Sequence, residues 1–286
     1  MKVVLATDGS GNAENAIRWF SHLPVCRNSQ LSIVTVAGRA ATSIYSAELD
    51  EELGRRETES AERAFTRAAT ILKTAGYDSV HCPRIGHAAD EIVQYAREVG
   101  AELIVIGARG HSMFSKILLG STSDSVATHA HCSVLVVRHA DEVLRHPTDA
   151  VRITLAHDGS ASAGEAIRQI GQFDWPEGSA LSLVNVIQRP ALLADDIPYD
   201  LYLTNAMNAA LEEAREKLRT HFTTVETRVL EEVHVGGSII NFAKGNKSDL
   251  VVIGDTGQSA ISRFFIGSVS RFVLHHADCS VWLVRK

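Results

Sequence analysis

Glycines recur at fixed spacing in GARGHSMFSKILLGS, Gly107 to Ser121, and again in GDTGQSAISRFFIGS, Gly254 to Ser268. Both stretches read Gly-x2-Gly-x9-Gly-Ser, and each follows an apolar run, Leu103–Ile106 or Leu250–Ile253. The residues between the glycines differ while the frame survives. Glycine at positions such as Gly107 and Gly110 permits positive φ and lets a ligand approach the backbone with no Cβ in the way. Successive N–H groups in such turns form anion-binding concavities. Gly120-Ser121 and Gly267-Ser268 then open a helix, whose first N–H groups lack intrahelical partners and whose dipole adds partial positive charge. The hydroxyl of Ser121 or Ser268 is a further donor. The combination is a phosphate cradle. It is neither a Walker A loop, which would end in Gly-Lys-Ser/Thr, nor the Rossmann GxGxxG. Tight turning alone would account for one Gly-x2-Gly, but not for two copies with matched spacing.

Asp8 and Asp158 add a second element, each opening an Asp-Gly-Ser after a short apolar run. Where strand one lies beside strand four of a parallel sheet, that carboxylate faces the crevice of the glycine loop. It can accept hydrogen bonds from a ribose hydroxyl or an adenine amine. It can equally close the strand–helix connection as an N-cap or Asx turn. A phosphate cradle at one strand end and a base-side acceptor at the next point to a nucleotide.

The elements that must position these residues come from a duplication. MKVVLATDGSGNAENAIRWF matches VRITLAHDGSASAGEAIRQI from Val151, LSIVTV (Leu31–Val36) matches LSLVNV (Leu181–Val186), and CSVLVVR matches CSVWLVR at the ends. The pieces keep the same order in both halves, which predicts two domains, 1–140 and 150–286. They are joined through the polar stretch His139–Ala150 with its Pro147. In the first half the periodicity predicts strands near 2–7, 31–37, 78–84, 102–107 and 133–138, with helices near 11–22, 47–75, 88–99 and 120–130. The second half repeats the scheme, with its long helix near 199–221 and a third helix cut by a turn around Gly245. Strands apolar on both faces, alternating with amphipathic helices, give an α/β doubly wound fold. In such open sheets ligands bind outside the carboxyl ends of the strands, where the strand order reverses. The Glu- and Arg-rich helix from about Ser46 to Ala75 reads as a solvated face.

The 286 residues carry a formal net charge of −6 with no long basic run, which counts against nucleic-acid and membrane-surface binding. No apolar stretch approaches the roughly 18–20 residues of a membrane span. The N-terminal apolar run meets Asp8 too soon for a signal peptide. Cys26, Cys82, Cys132 and Cys279 show no CxxC spacing, so unpaired thiols in a reducing cytoplasm are expected. Lys116 and Arg263 hold equivalent loop positions, where they reach phosphates or face solvent. Met113, Phe114, Ile117 and Leu118, like Ile261, Phe264 and Phe265, are apolar for a loop. They either pack or cover a ligand. His129, His131 and Cys132, and likewise His275, His276 and Cys279, have no regular zinc-ligand frame.

With these motifs, both halves resemble universal stress protein domains, and the chain resembles the tandem members of that family. The frame Gly-x2-Gly-x9-Gly-Ser/Thr marks the family's ATP-binding branch. The resemblance implies in each domain a five-stranded parallel sheet of order 3-2-1-4-5 with helices on both faces, and ATP across the ends of strands one and four. Gly107, Gly110, Gly120 and Ser121 would hold the phosphates in the first half, and Gly254, Gly257, Gly267 and Ser268 in the second. Asp8 and Asp158 would contact the adenosine, and Val36 and Val186 would offer backbone groups to the adenine edge. Mg2+ or Mn2+ often accompanies the phosphates. The resemblance further implies an intrachain pseudo-dimer through the last strands, with room for a homodimer beyond it. The chain departs from the family pattern at Ser133 and Ser280, where proline is frequent. It departs again at Asp255, which would bring negative charge near a phosphate and favour tighter ATP binding by the first copy.

No Walker lysine and no clear general base accompany the cradle, as phosphoryl transfer would require. The residues therefore favour a nucleotide-binding sensor, and the resemblance implies a cytoplasmic, nucleotide-dependent role in the stress response. The alternatives are a slow ATPase or autophosphorylating enzyme, with Ser121 or Ser268 as acceptors, and a partner-binding scaffold in which ATP is structural.

Overall fold

The computed structural model describes residues 1–23, 29–38, 47–110, 119–138, 149–188, 197–257 and 266–286, with backbone alone for 47–50 and 197–203. The chain divides into two compact units, Met1–Leu144 and Arg145–Lys286. Most of the expected linker, and the loop residues Lys116, Arg263 and their apolar neighbours, lie outside the described residues.

In the first unit β1 (Lys2–Ala6), α1 (Gly11–His22), β2 (Gln30–Ala37), α2 (Ala47–Thr74), β3 (Ser79–Ile85), α3 (Ala88–Val99), β4 (Leu103–Gly107), α4 (Ser121–His129) and β5 (Ser133–Val137) alternate without exception. The strands lie in the order β3-β2-β1-β4-β5, each parallel to its neighbours. β1 is central, with Val3 beside Leu31 on one side and Leu103 on the other. Val3, Val4, Leu5 and Ala6 are all buried. Alternate side chains point to opposite faces, so burial of every one requires helices on both. Contacts join α1 to α2 and α3 to α4. The edge strand β3 is different, with Val80 and Ile85 exposed.

The second unit repeats this as β6 (Arg152–Ala156), α5 (Ala161–Ile170), β7 (Ala180–Gln188), α6 (Ile197–Leu218), β8 (Thr224–Glu232), α7 (Val235–Gly245), β9 (Leu250–Gly254), α8 (Ser268–His276) and β10 (Ser280–Val284). Its strand order is β8-β7-β6-β9-β10. Read by position in each copy, both orders are 3-2-1-4-5, as expected. Leu72 and Leu218, both buried, anchor the long helices to their sheets. The outer face of α2 carries exposed pairs such as Glu52 with Arg55 and Arg56, which add little stability.

The third helix of the second copy ends at Gly245. The left-handed residue after it is Lys247, at φ 52°, whereas the first copy places Gly100 there, at φ 64°. A lysine in that region pays a steric cost that glycine does not.

Candidate functional site

Each copy turns from its first strand into its first helix through Asp-Gly-Ser, and the turn is built the same way twice. Gly9 and Gly159 sit at φ 76° and 80°, where an L side chain is strained. Asp8 Oδ1 accepts the Ser10 N–H at 2.9 Å, and Asp158 Oδ1 accepts the Ser160 N–H at 2.9 Å. Ser10 and Ser160 then cap their helices, accepting the N–H of Ala13 at 3.3 Å and of Ala163 at 3.1 Å. The Asx turn is therefore present. It occupies one carboxylate oxygen, and the other faces the glycine loop. A methyl built on Gly110 collides with Asp8 Oδ2, and one on Gly257 stands 3.0 Å from Asp158 Oδ2. Carboxylate and glycine meet across the β1–β4 and β6–β9 crevices, as strand order requires.

Of the two expected reasons for Gly107 and Gly110, positive φ needs correction. Neither adopts positive φ. Both are needed for close approach. A Cβ at Gly107 would stand 3.0 Å from the Asn12 carbonyl oxygen, and one at Gly254 would stand 2.6 Å from Ser162 Cβ. These glycines let the strand end touch the first turn of the neighbouring helix.

Gly120 and Gly267 are the N-caps of α4 and α8, and having no side chain they make no side-chain cap. Their own N–H groups close back onto the Ala108 and Asp255 carbonyls at 2.8 and 2.7 Å. Ser123 and Ser270 donate from Oγ to the carbonyls of Ala108 and Gly254, at 2.9 and 2.6 Å, which fixes the loop against the helix start. The first turns of α4 and α8 thus open on the crevice with their dipoles aimed into it.

All twelve residues expected at the sites line two cavities. Asp8, Val36, Gly107, Gly110, Gly120 and Ser121 line one of ≈ 230 Å³ in the first unit. Asp158, Val186, Gly254, Gly257, Gly267 and Ser268 line one of ≈ 410 Å³ in the second. Each cavity has apolar walls at its strand-two side and from the third helix, Val34 and Ile92 in one, Val184 and Ile239 in the other. Such walls suit a flat heterocycle, while the polar groups collect at the loop end.

Among the lining residues that the sequence reading missed are the pairs Thr7 and His157, Arg109 and Thr256, Ile92 and Ile239. The first pair had a signal, since aligning the two copies sets His157 opposite Thr7 immediately before Asp-Gly-Ser. Thr7 Oγ1 accepts the Gly9 N–H at 3.1 Å. His157 is buried, and its burial pushes the imidazole below its ordinary 6.5, against the pull of the neighbouring Asp158 carboxylate.

Asp255 also differs from expectation. It does not line the second cavity. Its Oδ2 pairs with Arg285 Nε at 3.3 Å, and its Oδ1 accepts from Ser162 Oγ at 2.9 Å and Thr256 Oγ1 at 3.1 Å. The charge is turned away from the crevice and compensated, so it gives no ground for weaker phosphate binding there.

Among the described residues no three His, Cys, Asp or Glu side chains gather to hold a metal. His129 and His276 each direct Nδ1 to a helix carbonyl four residues back, at 2.8 and 2.9 Å, and His276 stacks on Phe272. No helix among the described residues is long and apolar enough to cross a membrane.

Comparison with known proteins places this architecture. The model of the universal stress protein family matches twice, over residues 1–138 and 151–285. The chain is 25% identical over 292 residues to universal stress protein Rv2623 of Mycobacterium tuberculosis, covering 99% of this chain and 96% of that one. It is 30% identical over 149 residues to universal stress protein YxiE of Bacillus subtilis, covering 48% of this chain and 98% of that one. The crystal structure of a universal stress protein from Archaeoglobus fulgidus superposes with a TM-score of 0.68, at 19% identity, over 99% of this chain and 98% of the other. The chain belongs to the universal stress protein family and carries two of its domains in tandem.

Proposed function

We propose that both crevices bind ATP and that the chain acts as a nucleotide-dependent regulator in the stress response. The observation that carries this reading is the convergence, in each copy, of all six expected residues on one cavity at the strand-order reversal. The fit is chemical as well as spatial. Backbone amides at the start of α4 and α8 suit phosphate oxygens. The Oδ2 edges of Asp8 and Asp158 suit hydroxyl or amine donors of adenosine. The backbones of Val36 and Val186, at the ends of β2 and β7, lie at the wall where an adenine edge would rest.

A divalent ion, Mg2+ or Mn2+, would draw its ligands chiefly from phosphate oxygens and water, with the Ser121 or Ser268 hydroxyl beside it. Hard cations of this kind are commonly bound through substrate phosphates. The first copy binds the nucleotide more tightly in this reading. Its cavity is lined by the cation Arg109 where the second has Thr256.

Native mass spectrometry of the purified full chain, followed by acid extraction of nucleotide, tests the proposal. One or two ATP per chain, with occupancy lost first from the second copy on dilution, is the expected result. A chain that stays apo in millimolar ATP and Mg2+ overturns it. Release of ADP over many turnovers would instead favour the slow-ATPase alternative.

A further inference from the structure

The two copies differ most where their first and second helices meet. In the first unit Arg67 on α2 forms an ion pair with Glu14 on α1, and its Nη2 donates to the Gly9 carbonyl at 2.9 Å. The pair crosses the seam between the helices and braces the Asp-Gly-Ser turn. Aligning the buried Ala68 and Leu72 with Ala214 and Leu218 puts Glu213 at the place of Arg67. The strand-one alignment puts Gly164 at the place of Glu14. Glu213 cannot cross the seam to a glycine. It pairs instead along its own helix with Lys217, at 2.7 Å.

With the strut missing, the seam between α5 and α6 holds a cleft of ≈ 580 Å³. That volume lies within the range of small-molecule sites, roughly 300–1,000 Å³. Its floor is apolar, from Ile167, Ala214 and Leu218. Its polar groups are Ser160, His157, His221, Lys217 beside Glu213, and Arg168, which pairs with Glu165.

His157 sets this cleft apart from an ordinary surface groove. Only 9% of the residue is exposed, and among the described residues its imidazole has no hydrogen-bond partner. His157 lines both this cleft and the nucleotide crevice, so its ring is open to a group bound in the cleft. Burial holds the ring neutral, so it presents one N–H donor and one acceptor. The Lys217 charge lies close enough to act on the ring.

We propose that the α5–α6 cleft is a binding site for a small carboxylate with an apolar body, distinct from the nucleotide crevice and separated from it by His157. The carboxylate accepts from the His157 imidazole N–H and the Lys217 ammonium, and the hydrocarbon part rests on Ile167, Ala214 and Leu218. The site is confined to the second copy, since Glu14 and Arg67 occupy the corresponding seam of the first. The inference does not depend on ATP binding, and its test is run without nucleotide.

The full chain, labelled with 13C and 15N at histidine, is titrated with sodium benzoate and separately with neutral benzamide. The His157 resonances are identified by their loss in H157Q. Benzoate should move the His157 ring signals saturably and benzamide should not. Lys217→Met, at an exposed position, should weaken the response about tenfold, the loss of one charge-assisted contact. The double variant G164E/E213R, which rebuilds the strut of the first copy, should abolish it. A methyl at Gly164 meets nothing within 4 Å, so this helix position has room for the new side chain. The proposal fails if His157 is unmoved by millimolar benzoate, if benzamide moves it equally, or if G164E/E213R responds as the wild type does.

Discussion

The two copies keep one frame and support it by different means. Glycines that admit a close backbone approach stand at the same places in both, as do the Asp-Gly-Ser turn and its serine cap. Around them the supports have been exchanged. In the first copy an inter-helix ion pair braces the turn, and Ala108 and Arg109 follow β4. In the second, Gly164 leaves the seam open, Asp255 is locked to Arg285 beneath β9, and His157 replaces Thr7. Geometry at the crevice leaves little room for a side chain at the glycines, least at Gly110 and Gly254, whereas many arrangements can hold the backbone in place around them. The comparison teaches that the frame is common to both copies and the supports mark the individual domain.

The largest difference to break is the Asp255–Arg285 pair. Arg285 is buried and meets a carboxylate that also holds Ser162 and Thr256. Breaking a buried ion pair by removing one partner costs about 3–5 kcal/mol. Asp255→Ala should therefore destabilise the second unit by that order. Native-state hydrogen exchange reads this as lost protection of β6 and β9 amides, with those of β1 and β4 unchanged. The first copy already has alanine at the equivalent position, Ala108. An equal loss of protection in both units would show that the pair is not a local support.

Next in size is the contact between the glycine loop and the aspartate. A methyl on Gly110 collides with Asp8 Oδ2, while one on Gly257 reaches 3.0 Å from Asp158 Oδ2. Relief at Gly110 requires Asp8 to rotate and surrender its bond to the Ser10 N–H, whereas a small shift suffices at Gly257. Overpacking of this kind costs about 1–3 kcal/mol. G110A should lower ATP affinity of the first copy by about tenfold or more, and G257A should affect the second copy less. Stoichiometry by native mass spectrometry at graded ATP separates the two. A G257A variant that loses more nucleotide than G110A would reverse the ranking and locate the tighter fit in the second copy.

How much of this was legible in the sequence differs by kind of feature. The α/β fold was readable, because a parallel sheet covered on both faces must write its strands as short unbroken apolar runs such as Val3–Ala6, and the strand order followed from the family resemblance. Convergence of Asp8 with Gly110 followed from strand order alone. The protein contacts that require the glycines were not readable. Positive φ was expected at Gly107 and Gly110, but it belongs to Gly9, and what Gly107 avoids is the Asn12 carbonyl, a contact between segments far apart in the chain. The role of Asp255 was hidden likewise, since its partner Arg285 is the penultimate residue and no local pattern links them. The α5–α6 cleft is made by absences, at Gly164 and across from it, and a missing side chain leaves no motif. Only the alignment of the copies reveals it, by setting Gly164 against Glu14.

The smallest difference concerns Thr7 and His157, and it has a direction in pH. Burial lowers the folded-state pKa of His157 below its ordinary 6.5. Above that value the ring is neutral in both folded and unfolded chains, and its contribution is constant. As pH falls below it, the unfolded chain takes up a proton that the folded one refuses, so stability is lost until the folded pKa is passed. One proton sets a ceiling of about 1.36 kcal/mol per pH unit on that slope. Asp249 works in the opposite sense. It accepts the Arg152 N–H at 2.8 Å, yet burial raises its pKa above the ordinary 3.8, so the folded chain gains relative stability as pH falls through the folded value. The carboxylate of Glu165, held low by its hydrogen bonds to Arg168, favours folding above the usual carboxylate range and loses that contribution in stronger acid. The histidine contribution is lost downward from 6.5. His157→Thr installs the residue of the first copy and leaves the carboxylates in place. Urea unfolding of the second unit, followed by hydrogen exchange between pH 7 and pH 5, should show a shallower loss of stability in H157T than in the wild type, with the first unit unaffected. If the two slopes coincide, the imidazole accepts its proton without leaving the fold, and the cavity wall it forms is wetter than its burial implies.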